Sequence, residues 1–597
     1  MTNKDKIKAL KELMKKQKVD LTIIPTSDYH QSEYVADYFQ YRKWLSGFTG
    51  SAGTLVVSEK ESVLFTDGRY FIQAAKQLKG SGIKLMRMGN AKVPTLEEYI
   101  ESHLNKGNTL GFDGRVLSTA EGNTYENIAA KKKAKINNKF DSAKVLFKPR
   151  PELPQGKLWL LDDKWSGESN TSKLKRVRKI MQENNAKYQL VTSLDEIAWL
   201  LNLRGSDIED TPVFLSYALV GMKKVDLYLD LNKVDNEVKK ALKPLVNFHP
   251  YEDVYSDLRK VSGKVMYDPK KVNYRLSNLL GNKGLPFEDP EILMKAVKNP
   301  VELDNLRQAH IYDGVALTKF IYWVKNKVQE KDVTEYEATE YLDQLRLNNP
   351  NCLGLSFGTI GAYNANAAMM HYTATKDNTA TLKPEGIFLV DSGGQYYQGT
   401  TDVTRTIVLG KIGKEVKRDF TLTLKGNIRL SKARFLEGCR GVNLDILARG
   451  SLWDLGIDYK CGTGHGVGYL SGVHEAPNGF RWKIVPERND SCILEPGMVT
   501  TIEPGVYTEG SHGIRIENEL ICKKAQENEY GQFLDFETIT FAPIDRDAIL
   551  PELLSDDELK FLNDYHAEVY RKLSGYLTKE EKTWLKKVTG KIERVNA

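Results

Sequence analysis

The chain has 597 residues, 41% of them apolar and 28% charged, which is about four times a common domain length; one small module is excluded and two to four domains are expected. The same composition excludes disordered and fibrous proteins, and a formal net charge of +7 over this length is too dilute to imply a nucleic-acid partner. Five cysteines, at 352, 439, 461, 492 and 522, form no CxxC pair, so reduced thiols in a reducing compartment are expected rather than a disulfide framework.

The first twenty residues carry lysines but no apolar h-region, and no stretch reaches the about 18 consecutive apolar residues of a membrane span. Neither export nor anchoring is expected, which places the protein in the cytoplasm. Residues 5–18 put Ile7, Leu10, Leu13 and Met14 at helical spacing, and LTIIP at 21–25 reads as a buried strand. GTLVVSE and SVLFTDG read as paired strands, DGRYFIQAAKQL as a helix, KLMRMG as a strand, TLEEYIESHL as a helix and TLGFDG as a further strand. That alternation is α/β. The three prolines of FKPRPELPQG, 147–156, mark a domain boundary.

Beyond it the opening repeats: a helix with Leu174, Val177, Ile180 and Met181, then YQLVTS, then a Trp-Leu pair in DEIAWLLNLRG that parallels KWLSGFTG. Two α/β modules in tandem are expected. A second boundary falls at 288–300, before a long helix from Val301 to Lys327. The domains are therefore 1–150, 151–292 and 293–540, with 541–597 as a C-terminal extension whose Leu-, Lys- and Glu-rich patterns read as a closing helix pair.

The third domain holds four carboxylates and one imidazole in a suggestive order: Asp391 in IFLVDSGGQY, Asp402 in GTTDVTRT, His465 in CGTGHGVG, Glu503 in TIEPGVY and Glu517 in GIRIENE. An oxygen-rich inventory favours Mn, Mg, Co or Fe over a structural zinc, with manganese first. Asp391 ends an apolar strand, SGG is read as the turn and Asp402 as lying on the returning strand, so one hairpin presents both acids. Glu503 ends MVTTIE before Pro504 and Gly505, and Glu517 returns on GIRIENELIC. The glycines at 464 and 466 are read as letting the backbone approach a ligand.

The set can hold two metals bridged by a water of lowered pKa, with a polarised carbonyl and a stabilised oxyanion, which points to hydrolysis. His371 in NAAMMHYTAT and His474 in GVHEAP are further imidazoles able to move protons or hydrogen-bond a tetrahedral intermediate. A lone Asp after a strand is usually a turn former. Five such groups together, three in apolar strand contexts where an unpaired charge is costly, favour metal binding. His310 and His566 sit in helical patterns and are read as packing or surface residues. A thiol-nucleophile reading of Cys461 beside His465 is set aside, because the glycine loop accounts for the pair.

At these residues the sequence resembles the Xaa-Pro aminopeptidases of the pita-bread metallopeptidase family M24, which also includes prolidase and methionine aminopeptidase. VDSGGQY, TTDVTRT, GTGHGVG, VHE, TIEPGVY and GIRIENE carry the likeness, and PTSDYHQSEY, GFTGSAGT, DEIAWLLNLRG and FETITFAPID extend it over nearly the whole chain. The resemblance implies two tandem creatinase-like α/β domains, a pita-bread catalytic domain and a C-terminal helical extension. It further implies that Asp391 chelates one metal, that Asp402 and Glu517 bridge, that His465 and Glu503 complete the second site, and that Glu503 is the base. His371 then contacts the scissile region and His474 steadies the carbonyl.

The implied substrates are peptides with a penultimate proline, whose tertiary amide lacks the N–H that general aminopeptidases use. Many relatives have a histidine four residues before the metal histidine; Cys461 here implies a less polar proline pocket. Relatives of this type form homodimers, and no nucleic-acid or membrane partner is expected. Arg69 in DGRYF is a candidate for a substrate carboxylate, with a surface salt bridge as the alternative. The competing functions are prolidase, a non-catalytic peptide- or histone-binding relative, and the metal-free creatinase type.

Overall fold

In the computed structural model, which describes residues 1–485 and 488–594, the first helix is Asn3–Lys16. Thr2 and Asp5 form a capping box at its start, and Ile7, Leu10 and Met14 are buried on one face. That face packs on Ile24, Leu55, Val57 and Leu64 of the following sheet. Leu21, Ile23, Val56, Val63 and Phe65 point to the sheet's other side, against Ile100, Leu104 and Ile128. The two-residue alternation of the strands thus serves two helical layers at once.

The chain forms two units, Met1–Asp162 with Glu168–Glu291, and Asp163–Gly167 with Ile292–Ala597. In the first unit two six-stranded sheets share one topology. In the first sheet the order is Lys84–Arg87, Ser62–Thr66, Thr54–Ser58, Leu21–Pro25, Thr109–Gly111 and Lys135–Asn137. In the second it is Val246–Pro250, Val225–Leu229, Ser216–Gly221, Tyr188–Val191, Val265–Tyr267 and Gly284–Pro286. Each sheet places its first strand in the middle, antiparallel to one neighbour and parallel to the other. The tandem repeat is therefore real, and the two Trp-Leu pairs lie on matching short helices, Tyr41–Ser46 and Leu194–Leu201. Residues 147–158 between the sheets contain no helix or strand.

The long helix of the second unit is Pro300–Glu330, capped by Asn299 and Glu302, slightly longer than the sequence pattern suggests. Its Leu317, Phe320 and Val324 cover Phe388, Val390 and Ile407. These belong to a three-stranded antiparallel sheet ordered Ile360–Tyr363, Ile387–Ser392 and Val403–Val408. A six-stranded sheet follows, ordered Arg434–Leu436, Gly531–Thr538, Asn518–Asn528, Val499–Ile502, Gly464–Gly466 and Glu475–Phe480. The mixture of antiparallel sheets and covering helices is α+β, whereas the lobes of the first unit are α/β.

The expected closing helices are Asp556–Leu573 and Lys579–Val588; residues 595–597 of that segment lie outside the described residues. Leu562, Val569, Leu573 and Leu585 pack on Phe420, Leu424, Ile514 and Ile516. His566 is a packing residue, fully buried, with Nε2 accepting the Ile544 N–H at 3.1 Å. Burial, reinforced by Arg405 and Arg546, pushes its pKa down to about 3. The folded state holds the ring neutral, while the unfolded chain takes up a proton near the ordinary pH 6.5, so this residue's stabilising share is complete above about pH 6.5 and lost toward pH 3. Thermal midpoints between pH 4 and 8 are expected to rise with pH less steeply in His566→Gln than in the unsubstituted protein; equal slopes would refute this account.

Candidate metal centre

The three-stranded sheet brings the first two acids together. Asp391 is opposite Thr404 in the pairing of Ile387–Ser392 with Val403–Val408. The connection is longer than the sequence pattern suggests: SGG is not the turn, because residues 394–396 and 399–400 form a further strand pair before the chain returns. Asp402 accordingly stands just ahead of the returning strand, with its N–H donated to Glu519 Oε1 at 2.7 Å.

Glu517 lies between the strands His512–Arg515 and Asn518–Asn528. Its N–H donates to Thr404 O at 3.1 Å and its Oε2 accepts from Thr404 Oγ1 at 2.7 Å. One threonine therefore registers Glu517 against the strand that follows Asp402. His465 Nε2 is 3.4 Å from Asp402 Oδ2 and 3.5 Å from Glu503 Oε1. Asp402, His465 and Glu517 each offer a ligand atom, all within 4.8 Å of one another. The charges of Asp391 and Glu503 act on both Asp402 and Glu517. All five expected residues thus converge.

The glycines around His465 do something other than admit a ligand. A Cβ on Gly464 would collide with the Thr501 carbonyl oxygen, and one on Gly466 with that of Glu475. They let the short strand Gly464–Gly466 fit between its neighbours.

The site is electrostatically overloaded. Burial first, then the neighbouring carboxylates Asp391 and Glu503, push Asp402 well above the usual carboxylate range. Burial, Asp402, Glu503 and Asp391 do the same to Glu517. Asp391 Oδ1 and Asp402 Oδ1 are buried without a hydrogen-bond partner. Crowded acids with acceptor oxygens left over are the donor set of a hard cation, so the residues fit divalent metal ions.

His474 stacks edge-on against His465, with ring centroids 4.3 Å apart. Glu475 beside it is clamped by Lys295 at 3.1 Å and by Lys298. His371 follows Met370, whose carbonyl accepts from Arg515 Nη2 at 3.3 Å. Cys461 packs with Leu422, Leu452, Tyr459, Val506 and Tyr507, and burial and Glu503 push its thiol up to about 12, the opposite of an activated nucleophile. Arg69 is held by Asp67 through Nε at 2.9 Å and Nη2 at 2.8 Å, with Glu33 at 3.8 Å. Of its two readings, the salt bridge is the one these contacts describe.

Several supporting residues escaped the sequence reading. Arg515, inside the quoted GIRIENE, donates to Asp391 Oδ2 at 2.6 Å and to Tyr507 Oη at 2.8 Å. Glu519, two residues after Glu517, receives Asp402 and lies 3.2 Å from His310 Nε2; His310 is thus a buried packing residue that borders the site. Arg449 donates to Asp445 Oδ2, Tyr459 O and Cys461 O at 2.6–2.8 Å, fixing the loop that leads to His465. For Arg515 and Glu519 the available signal was a buried-type strand pattern containing arginine or a second acid, which no burial argument leaves unpaired; Arg449 lies on the helix Gly441–Trp453 and had no such strand signal.

Comparison with known proteins shows the family. Residues 304–524 match the model of metallopeptidase family M24 and 532–592 that of its C-terminal region. Residues 6–142 and 149–302 match two models of the creatinase/prolidase N-terminal domain. The chain is 38% identical over 603 residues to Xaa-Pro aminopeptidase 1 of Dictyostelium discoideum, covering 97% of this chain and 95% of that protein. It is 37% identical to the probable Xaa-Pro aminopeptidase P of Tuber melanosporum, covering 98% of each. The crystal structure of an X-prolyl aminopeptidase from Caenorhabditis elegans, described as a cytosolic enzyme with a di-nuclear active site, superposes with a TM-score of 0.95 at 32% identity over 99% of this chain and 100% of that one. An Xaa-Pro dipeptidase from Bacillus anthracis shares the fold, at a TM-score of 0.50 and 22% identity, over 64% of this chain and 100% of that one.

Because Arg515 pairs with the buried Asp391, removing the guanidinium strands a carboxylate. In chelator-treated protein, Arg515→Ala is expected to cost about 3 kcal/mol or more in urea unfolding; a loss below about 1 kcal/mol, the worth of an exposed pair, would refute the pairing's importance.

Proposed function

The chain belongs to the Xaa-Pro aminopeptidases of metallopeptidase family M24, and on that footing we propose that Asp391, Asp402, His465, Glu503 and Glu517 hold the two divalent cations with which it hydrolyses the bond between an N-terminal residue and a penultimate proline. The observation that carries the ligand assignment is the pair of buried, unpartnered oxygens, Asp391 Oδ1 and Asp402 Oδ1, in a cluster where burial and neighbouring carboxylates push Asp402 and Glu517 well above the usual carboxylate range. Between them, Asp391 would hold one cation, His465 and Glu503 the other, and Asp402 and Glu517 would contribute to both. Manganese is the first choice for so oxygen-rich a set, with cobalt or zinc as alternatives. When bound, the cations supply a water of lowered pKa and a Lewis acid for the scissile carbonyl.

The chain's own groups do the rest. Glu503 Oε1 is approached by Thr501 Oγ1 at 3.4 Å and His465 Nε2 at 3.5 Å, which leaves Oε2 to receive the proton of the attacking water. His371 passes a proton to the leaving proline nitrogen, which has no hydrogen of its own, and His474 steadies the carbonyl oxygen. Cys461 and its apolar neighbours form the wall for the proline ring. The domain limits follow the same reading, 1–150, 151–292, 293–540 and 541–597.

We also propose a cytoplasmic homodimer. Trp453, Leu455, Ile446, Trp482 and Ile484 are 40–55% exposed, and the rings of Trp453 and Trp482 lie 6.1 Å apart; an apolar group of this size on the surface suits an isologous contact. The C. elegans relative is described as cytosolic, and among the described residues no helix is long and apolar enough to cross a membrane.

Chelated protein is expected to leave Arg-Pro-Pro intact and to release its arginine after addition of Mn2+, Co2+ or Zn2+; cleavage of Gly-Pro alone would make it a prolidase. Glu517→Gln is expected to bring metal content below one ion per chain and to lower kcat by about three orders of magnitude, as loss of a metal or its positioning does. Well under one metal ion per chain in protein purified without chelator, with no hydrolysis of either peptide, would favour the binding relative. In sedimentation velocity, Trp453→Glu with Trp482→Glu is expected to convert a dimer to a monomer of unchanged thermal midpoint; a monomeric parent would exclude the dimer.

A further inference from the structure

The helix Glu335–Leu347 begins with a carboxylate that has no exposed surface. Its oxygens accept from four groups of one stretch of chain. Oε1 takes the Tyr363 N–H at 2.7 Å and Asn366 Nδ2 at 2.9 Å, and Oε2 takes the Tyr372 hydroxyl at 2.9 Å and the Ala380 N–H at 2.7 Å. A carboxylate offers about four acceptor positions, so donors and acceptors match, and the helix N-terminus adds a favourable dipole.

Between Tyr363 and Ala380 the chain is almost without ladder pairing: one short 3-10 turn, Asn364–Ala368, and one isolated bridge, Thr375 with Asn378. His371 is in this stretch. On one side, Met370 O accepts from Arg515 Nη2, which also holds Asp391. On the other, Tyr372 is held by Glu335. The turn itself lies on the strand His512–Arg515, where a Cβ on Gly513 would run into Ala367 O. One anchor thus refers His371 to the carboxylate cluster, and the other refers it to the start of the helix.

We propose that Glu335 is a positioning residue for His371: it acts on the reaction only by fixing the loop from which the imidazole reaches the substrate. The proposal rests on the reading of His371 as a proton-transferring group. No charge or proton of Glu335 enters the chemistry; what it controls is the distance and angle of another residue, to which proton transfer is steeply sensitive.

The test uses the full-length, Mn2+-loaded protein and Arg-Pro-Pro. Glu335→Gln places an amide donor opposite two donors, and Tyr372→Phe removes the hydroxyl beside His371, with its bond to Glu335 and its longer contacts to Asn366 and Asn378. Both are expected to keep metal content and to change KM by less than about threefold, while kcat falls about 10- to 100-fold for Glu335→Gln and about 3- to 10-fold for Tyr372→Phe. In the His371→Ala background neither is expected to lower kcat further, because the misplaced group is already gone. In metal-stripped protein, acylation of His371 by diethyl pyrocarbonate, located by mass spectrometry, is expected to quicken in both variants. Losses that multiply with His371→Ala, or unchanged acylation, would overturn the proposal. If Glu335→Gln does not fold, Tyr372→Phe carries the same two readouts. A fully active His371→Ala would instead remove the reading of His371 on which the proposal stands, whereas a slow His371→Ala beside unimpaired Glu335 and Tyr372 variants would refute the positioning role alone.

Discussion

Four carboxylates held in one small volume are the constraint around which the second unit is built. Taking even one such ion out of water costs several kcal/mol after relaxation, and here Asp402 and Glu517 each feel burial together with like charges. Arg515 offsets one side of Asp391 but leaves the other oxygen unmet. A fold with such a cluster has to draw the stability for it from elsewhere, and it does so with strands tied together by backbone and hydroxyl groups and by the buried guanidiniums of Arg405 and Arg515.

Thr404 is the principal tie. Its carbonyl and hydroxyl both engage Glu517, its strand neighbour across the ladder is Asp391, and its hydroxyl also receives Arg515 Nε at 3.2 Å. The next residue, Arg405, carries the link outward: it donates to Glu517 O, Asn518 Oδ1, Ala542 O and Tyr565 Oη at 2.7–3.0 Å. The closing helix is therefore joined to the carboxylate cluster through one side chain, and the C-terminal segment is part of the centre's support as well as a cover for its core.

Much of this architecture is legible in the linear pattern. Apolar pairs such as Leu21 with Ile23 and Val63 with Phe65 mark strands, Ile7, Leu10 and Met14 at helical spacing mark the first helix, and the doubled Trp-Leu signature marks the tandem lobes, because each of these signals is carried by residues a few positions apart. The five metal-type residues were also legible, since ionisable side chains at the ends of apolar strands need a partner. What misled was local turn chemistry: SGG looks like a tight turn, yet the chain makes an extra strand pair there, and the glycines beside His465 serve strand packing.

The supports of the site were invisible for a different reason. Arg515 and Asp391 are 124 residues apart, Glu335 and Tyr372 are 37 apart, and nothing in either neighbourhood names the other. Residue type and short-range periodicity determined the α/β class of the opening lobes, the repeat and the inventory of candidate metal-holding residues. Only the tertiary structure decided which donor meets which acceptor, because hydrogen-bond partners are selected by the three-dimensional approach of strands and loops, and that approach depends on the packing of the whole unit.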